Sequence, residues 1–180
     1  RRAAAVPPGA RGVTLIGSSL MDSRNIEWLF LPATFFGLDT MRPERAGKAE
    51  MIRAALESVC YAVRANCEVL EEVSGLKVEA LRICGGQTKS ELWTQMQADI
   101  LGVPVLVSTF EEATALGTII CAGVGSGLYE SIPQAADQIT HFTTVEPRLE
   151  VHRQYQPFYE RWRALYEWRT KLPDELLEAQ

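Results

Sequence analysis

The sequence predicts an α/β domain whose sheet is at least partly parallel, and three observations predict it. Val78 to Cys84 (VEALRIC) reads as a strand with Leu81 and Ile83 on one side, and it runs into Gly85-Gly86. Ser90 then opens a helix that carries Trp93, Met96 and Ile100 on one face. A turn, Leu101-Gly102-Val103-Pro104, leads to a second strand over Val105–Val107, and Thr109 starts a further helix. Strand, turn, helix, strand and helix in that order build a sheet with helical crossovers.

The remaining elements follow from the N-terminus. Residues 1–12 contain Pro7-Pro8-Gly9 and read as a linker. Val13 to Ile16 is a short β-branched run that stops at Gly17-Ser18-Ser19, a strand. From Met21 to Gly47 no period persists, yet Trp28, Leu29, Phe30, Leu31, Phe35 and Phe36 are too apolar for water, so a packed irregular segment is expected. Lys48 to Val73 reads as one long helix with Ile52, Ala55, Val59, Val63, Leu70 and Val73 as its buried stripe. Ser74-Gly75 ends it, because glycine takes the left-handed conformation past a last turn at little cost. Near the C-terminus Val151, Tyr155, Phe158, Trp162 and Leu165 step by four, three, four and three, an apolar stripe on a helix that contains Pro157. The domain is therefore expected over residues 13–170, with a frayed tail at 171–180.

Composition narrows the function. Of 180 residues, 47% are hydrophobic and 23% charged, ordinary for a globular domain, and the net charge of −5 argues against a nucleic-acid binder, which would need a basic stripe. Cys60, Cys67, Cys84 and Cys121 show no CxxC spacing and sit in apolar segments, so reduced thiols and a cytoplasmic setting are expected. With only His141 and His152 besides, a zinc site has little to build from. No apolar run approaches the ~20 residues that span a bilayer. Pro7-Pro8-Gly9 interrupts the Arg1-Arg2-Ala3 start before a signal-peptide core can form.

The chemistry concentrates in Leu81–Trp93. Glycines after a strand let backbone approach a flat ligand or a phosphate, and the helix N-terminus offers unpaired N–H groups to an anion. The same unit also serves as a plain αβ turn, Ser90 also reads as an N-cap, and Lys89 as a solvated cation. In the next helix Thr109 and Glu112 fit a capping box. Ala113, Gly117 and Cys121 form a ladder of small residues suited to a close helix crossing. No G-x-G-x-x-G follows a strand, which disfavours a dinucleotide fold.

Two of these segments, GGQTKSELWTQMQADILGVPV and EEATALGTIICAGVGSGLY, resemble the C-terminal domain of the FGGY carbohydrate kinases. The helix RAALESVCYAVRANCEVLEEVSG is similar to a further family helix, and the resemblance runs from about residue 6 to about residue 170. SSLMDSR, PATFFGLD and the P-x-x-x-GK run lie closer to the autoinducer-2 kinase branch than to xylulose kinases.

The resemblance implies a ribonuclease-H-like lobe of actin/hexokinase type, with ATP and Mg²⁺ as cofactors and a small-molecule sugar as substrate. Gly85 and Gly86 would lie against the adenosine, Gln87 and Thr88 would line the same turn, and Ser90 would stand near the adenine. Gln87 occupies a place where many members have glycine or alanine. The base, the phosphate loop and the sugar contacts belong to an N-terminal lobe of the same kinase, so no catalytic residue is expected in this chain. Asp22, Asp39 and Asp99 are the nearest substitutes, and Asp99 reads as a solvated or paired surface carboxylate. Exposed apolar surface facing that lobe would favour self-association of this chain alone. A noncatalytic interaction module of the same fold is the alternative.

Overall fold

The computed structural model describes residues 2–17, 33–39, 41–42 and 45–171. Much of the irregular segment expected over 21–47, and the tail from 172, lie outside these residues. Strands β1 (Thr14–Ile16) and β2 (Thr34–Phe36) pair antiparallel, Leu15 opposite Phe35. Helix α1 (Lys48–Ser74) follows, then β3 (Leu81–Ile83), α2 (Glu91–Leu101), β4 (Val105–Ser108), α3 (Ala113–Gly125), α4 (Ile132–Ile139), β5 (Phe142–Val145) and α5 (Leu149–Arg169). The main sheet runs β3-β4-β5, with β3 and β4 parallel and β5 antiparallel to β4. The chain is thus α/β with a helical crossover between parallel strands, as the alternation of periods predicts.

Residues 2–12 are not a free linker. They form two 3-10 turns, Ala3–Ala5 and Ala10–Gly12, and bury Ala3, Val6 and Ala10, the last two in one cluster with Ala54 of α1. The segment is anchored by a polar bond as well: the Gly9 N–H donates to Glu57 Oε1 at 3.1 Å, and Arg53 Nε donates to the same oxygen at 2.8 Å. Arg53 also reaches the Tyr155 hydroxyl on α5. This ion pair is almost fully enclosed, and removing either charge alone would strand the other, a loss of about 3–5 kcal/mol.

Helix α1 has nearly the predicted length, and Gly75 ends it at φ +69° with its N–H on the Glu71 carbonyl. Its buried face is a different one. Ile52, Leu70 and Val73 of the expected stripe are exposed, while Arg53, Ala54, Glu57, Ser58, Cys60, Tyr61 and Ala62 face inward. Buried charge that is internally paired defeats a pattern that counts only apolar residues.

The stripe on α5 does face the core. Tyr155 and Trp162 are buried, Phe158 and Leu165 pack alongside, and the helix continues through Pro157. Trp162 Nε1 donates to the Leu15 carbonyl at 3.2 Å and to Ser58 Oγ at 3.3 Å, which fastens α5 to β1 and α1 together. Its ring stacks on Tyr159 and Tyr166 at 13° and 4° between planes.

Helix α3 begins at Ala113, not at Thr109. The Thr109 N–H and hydroxyl both donate to the His141 carbonyl, and Glu112 stands at the N-cap with no side-chain bond, so the expected capping box does not form. Strand β5 captures Thr109 for the sheet edge before a helix can use it. Leu116 and Ile120 pack on Ala135 of α4. Gly117 and Cys121 are exposed, and a Cβ at Gly117 would meet nothing within 4 Å, so among the described residues no helix crosses the small-residue ladder.

Candidate functional site

Strand β3 ends where Ile83 is buried and Cys84 exposed, and the chain turns at once. Gly85 sits at φ +80°, ψ −166°, a region open essentially to glycine alone. Residues Gly86–Lys89 then form a single 3-10 turn before α2. The turn is closed from within: the Thr88 N–H and hydroxyl donate to the Gly85 carbonyl at 3.1 and 2.8 Å, and the Ser90 N–H donates to the Gln87 carbonyl at 3.2 Å.

Ser90 is the N-cap of α2, accepting the Trp93 N–H on Oγ at 3.3 Å. Gly85 and Gly86 share a simple property: a Cβ built on either would find no heavy atom within 4 Å. The outward side of the turn is therefore bare main chain with open space in front of it. All five residues singled out in the sequence, Gly85, Gly86, Gln87, Thr88 and Ser90, are brought together in this one turn.

What surrounds the turn was less legible. Lys89 is not simply solvated; its ammonium meets the Glu111 carboxylate at 2.9 Å, which holds the Lys89 pKa above its ordinary value and links the turn to the loop before α3. Gln97, only 2% exposed on the inner side of α2, donates from Nε2 to Gln87 Oε1 at 3.4 Å. A glutamine between buried Met96 and Ala98 was the available signal for it.

Of the three candidate carboxylates, the two among the described residues, Asp39 and Asp99, are both paired. Asp99 is fully buried rather than at the surface, accepting the Arg148 N–H at 2.9 Å and Gln95 Nε2 at 3.0 Å. The Arg148 guanidinium completes the pair. Asp39 accepts the N–H groups of Met41 and Arg42, and the Arg42 guanidinium holds its carboxyl below the usual range. Asp22 lies outside the described residues. Among the described residues no group of three or more His, Cys, Asp or Glu is arranged to hold a metal ion, and no helix is long and apolar enough to cross a membrane.

Comparison with known proteins identifies the family. The profile of the FGGY family of carbohydrate kinases, C-terminal domain, matches residues 3–126. The autoinducer-2 kinase of Yersinia enterocolitica serotype O:8 is 36% identical over 173 residues, which is 96% of this chain and 32% of that protein. That of Yersinia pestis bv. Antiqua (strain Angola) is 37% identical over 165 residues, 91% of this chain and 31% of that protein. This chain thus spans about a third of the length of the curated relatives it matches.

Among solved structures, a gluconate kinase from Lactobacillus acidophilus superposes with a TM-score of 0.79 at 20% identity, over 97% of this chain and 35% of that one. A xylulose kinase from Rhodospirillum rubrum superposes with a TM-score of 0.74 at 25% identity, over 92% of this chain and 32% of that one. The fold is the actin/hexokinase-type ATPase lobe of sugar kinases. By its profile match and its relatives, the chain belongs to the FGGY family of carbohydrate kinases and corresponds to the family's C-terminal domain.

Proposed function

We propose that this chain is the nucleotide-binding half of an ATP-dependent carbohydrate kinase, and that the turn from Gly85 to Ser90 is where the adenosine lies. One observation carries the reading: the end of β3 presents two consecutive residues without side chains, the first in a glycine-only conformation, with open space in front of both. A purine nucleotide is flat and anionic. Bare main chain at the head of a helix suits it, because backbone N–H groups can approach and no Cβ intervenes.

In this reading the chain's residues orient and do not react. Thr88 and Ser90 spend their hydroxyls on closing the turn and capping α2, which fixes the backbone in advance of ligand. Glu111 holds Lys89 at the outer side of the turn. ATP supplies the transferable phosphoryl group, with Mg²⁺ carried on its phosphates. The base and the phosphate clamp come from a preceding lobe, which fits a chain spanning about a third of its relatives. The names of the curated relatives favour a substrate of the autoinducer-2 type, and pentuloses remain the second class to test. The exposed face of α3 at Gly117 and Cys121 is where that lobe, or a second copy in its absence, would rest.

Full-length protein supplied with ATP and a panel of pentuloses and the phosphate-accepting autoinducer, with coupled detection of ADP, tests the assignment. Turnover is expected there and not with residues 1–180 alone. Turnover by this chain alone would place the base within it and overturn the division of labour.

A further inference from the structure

The carboxamide of Gln87 is held at both ends. Its Nε2 donates to the Cys84 carbonyl at 3.4 Å, and its Oε1 accepts from Gln97 Nε2 at 3.4 Å. These contacts fix which end is which. A backbone carbonyl only accepts, so the Gln87 nitrogen faces Cys84 and its oxygen faces Gln97, whose own nitrogen must then point back. Gln97 lies between Met96 and Ala98 on a buried part of α2, where an apolar side chain would otherwise sit. Burying an amide is unfavourable unless it is bonded, and here its bond is spent on orienting a side chain at the turn.

A carboxamide offers two N–H groups and two lone pairs. One of each is used, so one N–H and one lone pair of Gln87 have no partner among the described residues. The edge of a primary amide remote from its alkyl stem sets a donor beside an acceptor. Adenine shows the complement on one edge, its 6-amino group beside N7, and a glutamine amide pairs with that edge through two hydrogen bonds. Guanine shows two acceptors there, O6 and N7, so one of the two contacts becomes lone pair against lone pair.

We propose that Gln87 is the residue that selects adenine over guanine, and that Gln97 is the positioning residue that holds its amide ready. This rests on the reading of the Gly85–Ser90 turn as the nucleotide site. The selectivity belongs to this chain's particular pair of glutamines and is separate from the backbone contacts at Gly85 and Gly86.

The test is calorimetric titration of full-length protein with ATP and with GTP. Wild type should prefer ATP by roughly tenfold or more. Gln87→Ala should bring the two nucleotides to near parity, and Gln97→Leu should narrow the ratio in the same direction. Adding Gln97→Leu to Gln87→Ala should change the ratio no further. A merely structural Gln97 would weaken both nucleotides together and leave their ratio alone, and that result removes its positioning role.

Gly86→Leu separates the failures. It should weaken ATP and GTP alike. If it does so while Gln87→Ala keeps the wild-type ratio, the site stands and the glutamine proposal is wrong. If Gly86→Leu weakens neither, the nucleotide site is elsewhere and the proposal falls with it. Wild-type parity between ATP and GTP also overturns it. Should Gln97→Leu fail to fold, Gln87→Ala in the partly exposed turn still decides the selectivity.

Discussion

Asp99 on α2 accepts the backbone N–H of Arg148 at 2.9 Å, and the Arg148 guanidinium folds back onto the same carboxylate with Nε 3.1 Å from Oδ2. The carboxylate is fully buried, whereas 61% of the arginine side chain is exposed. One residue therefore ties the connection between β5 and α5 to the helix that leaves the Gly85–Ser90 turn. Asp99→Ala would leave the Arg148 N–H without its acceptor and should lower stability by about 2–3 kcal/mol. Arg148→Ala, which strands a buried carboxylate, should cost about 3 kcal/mol. Urea unfolding of both variants checks the two values.

Gly9 combines two constraints. Its φ is +78°, and a Cβ there would overlap the Phe158 ring of α5. The N–H it presents is one of the bonds on the buried Glu57 carboxylate. Gly9→Ala should destabilise by about 3 kcal/mol through strain and overpacking, visible as a lowered urea midpoint with an unchanged slope.

The four thiols should separate by rate. Cys84 and Cys121 are exposed, Cys67 is half-buried and Cys60 is enclosed. Burial pushes the Cys60 thiol far up, and burial with the nearby Glu71 and Glu68 carboxylates raises Cys67. Iodoacetamide followed by peptide mass spectrometry should label Cys84 and Cys121 first, Cys67 more slowly, and Cys60 only on unfolding. Because Cys84 adjoins the glycine pair, ATP should slow its labelling and leave Cys121 unchanged.

The end of α1 should carry a pH dependence. Glu71 is held below the ordinary value of 4.5 by the Lys77 ammonium at 2.8 Å and by the Val78 N–H at 2.8 Å. A depressed carboxyl contributes stability above its unfolded pKa and loses it as pH falls through the folded one. Glu71→Gln should therefore be less stable than wild type at pH 7, and the gap should close on titration below 4.5. A gap that persists in acid would assign the effect to packing instead.

The pieces of fold legible in the sequence were those that a local period or cap controls. β3, α2 and β4, the Ser90 cap and the Gly75 stop follow from neighbouring residues alone, and so does the aromatic stripe of α5. The inner face of α1 was not legible, because Arg53 and Glu57 are buried only by virtue of each other, Tyr155 and the Gly9 N–H. Thr109 read as a helix start for want of knowing that β5 would lie beside it. Helix α4 and β5 drew no expectation, although Ser131 caps α4 and Phe142–Val145 is rich in β-branched residues. At the site, the five turn residues were contiguous in sequence and therefore easy to see. Gln97 became visible only when α2 was placed beneath the turn.

Gly86→Leu offers the most direct measurement. Unlike Gly85, Gly86 has no backbone angle that demands glycine, and its Cβ position is empty, so the variant should unfold within a few degrees of wild type. A leucine there would fill the space in which the nucleotide is expected to lie. Calorimetric titration of full-length protein with ATP should show affinity reduced tenfold or more, with the unfolding temperature nearly unchanged. ATP affinity equal to that of wild type would contradict the placement of the nucleotide at the end of β3.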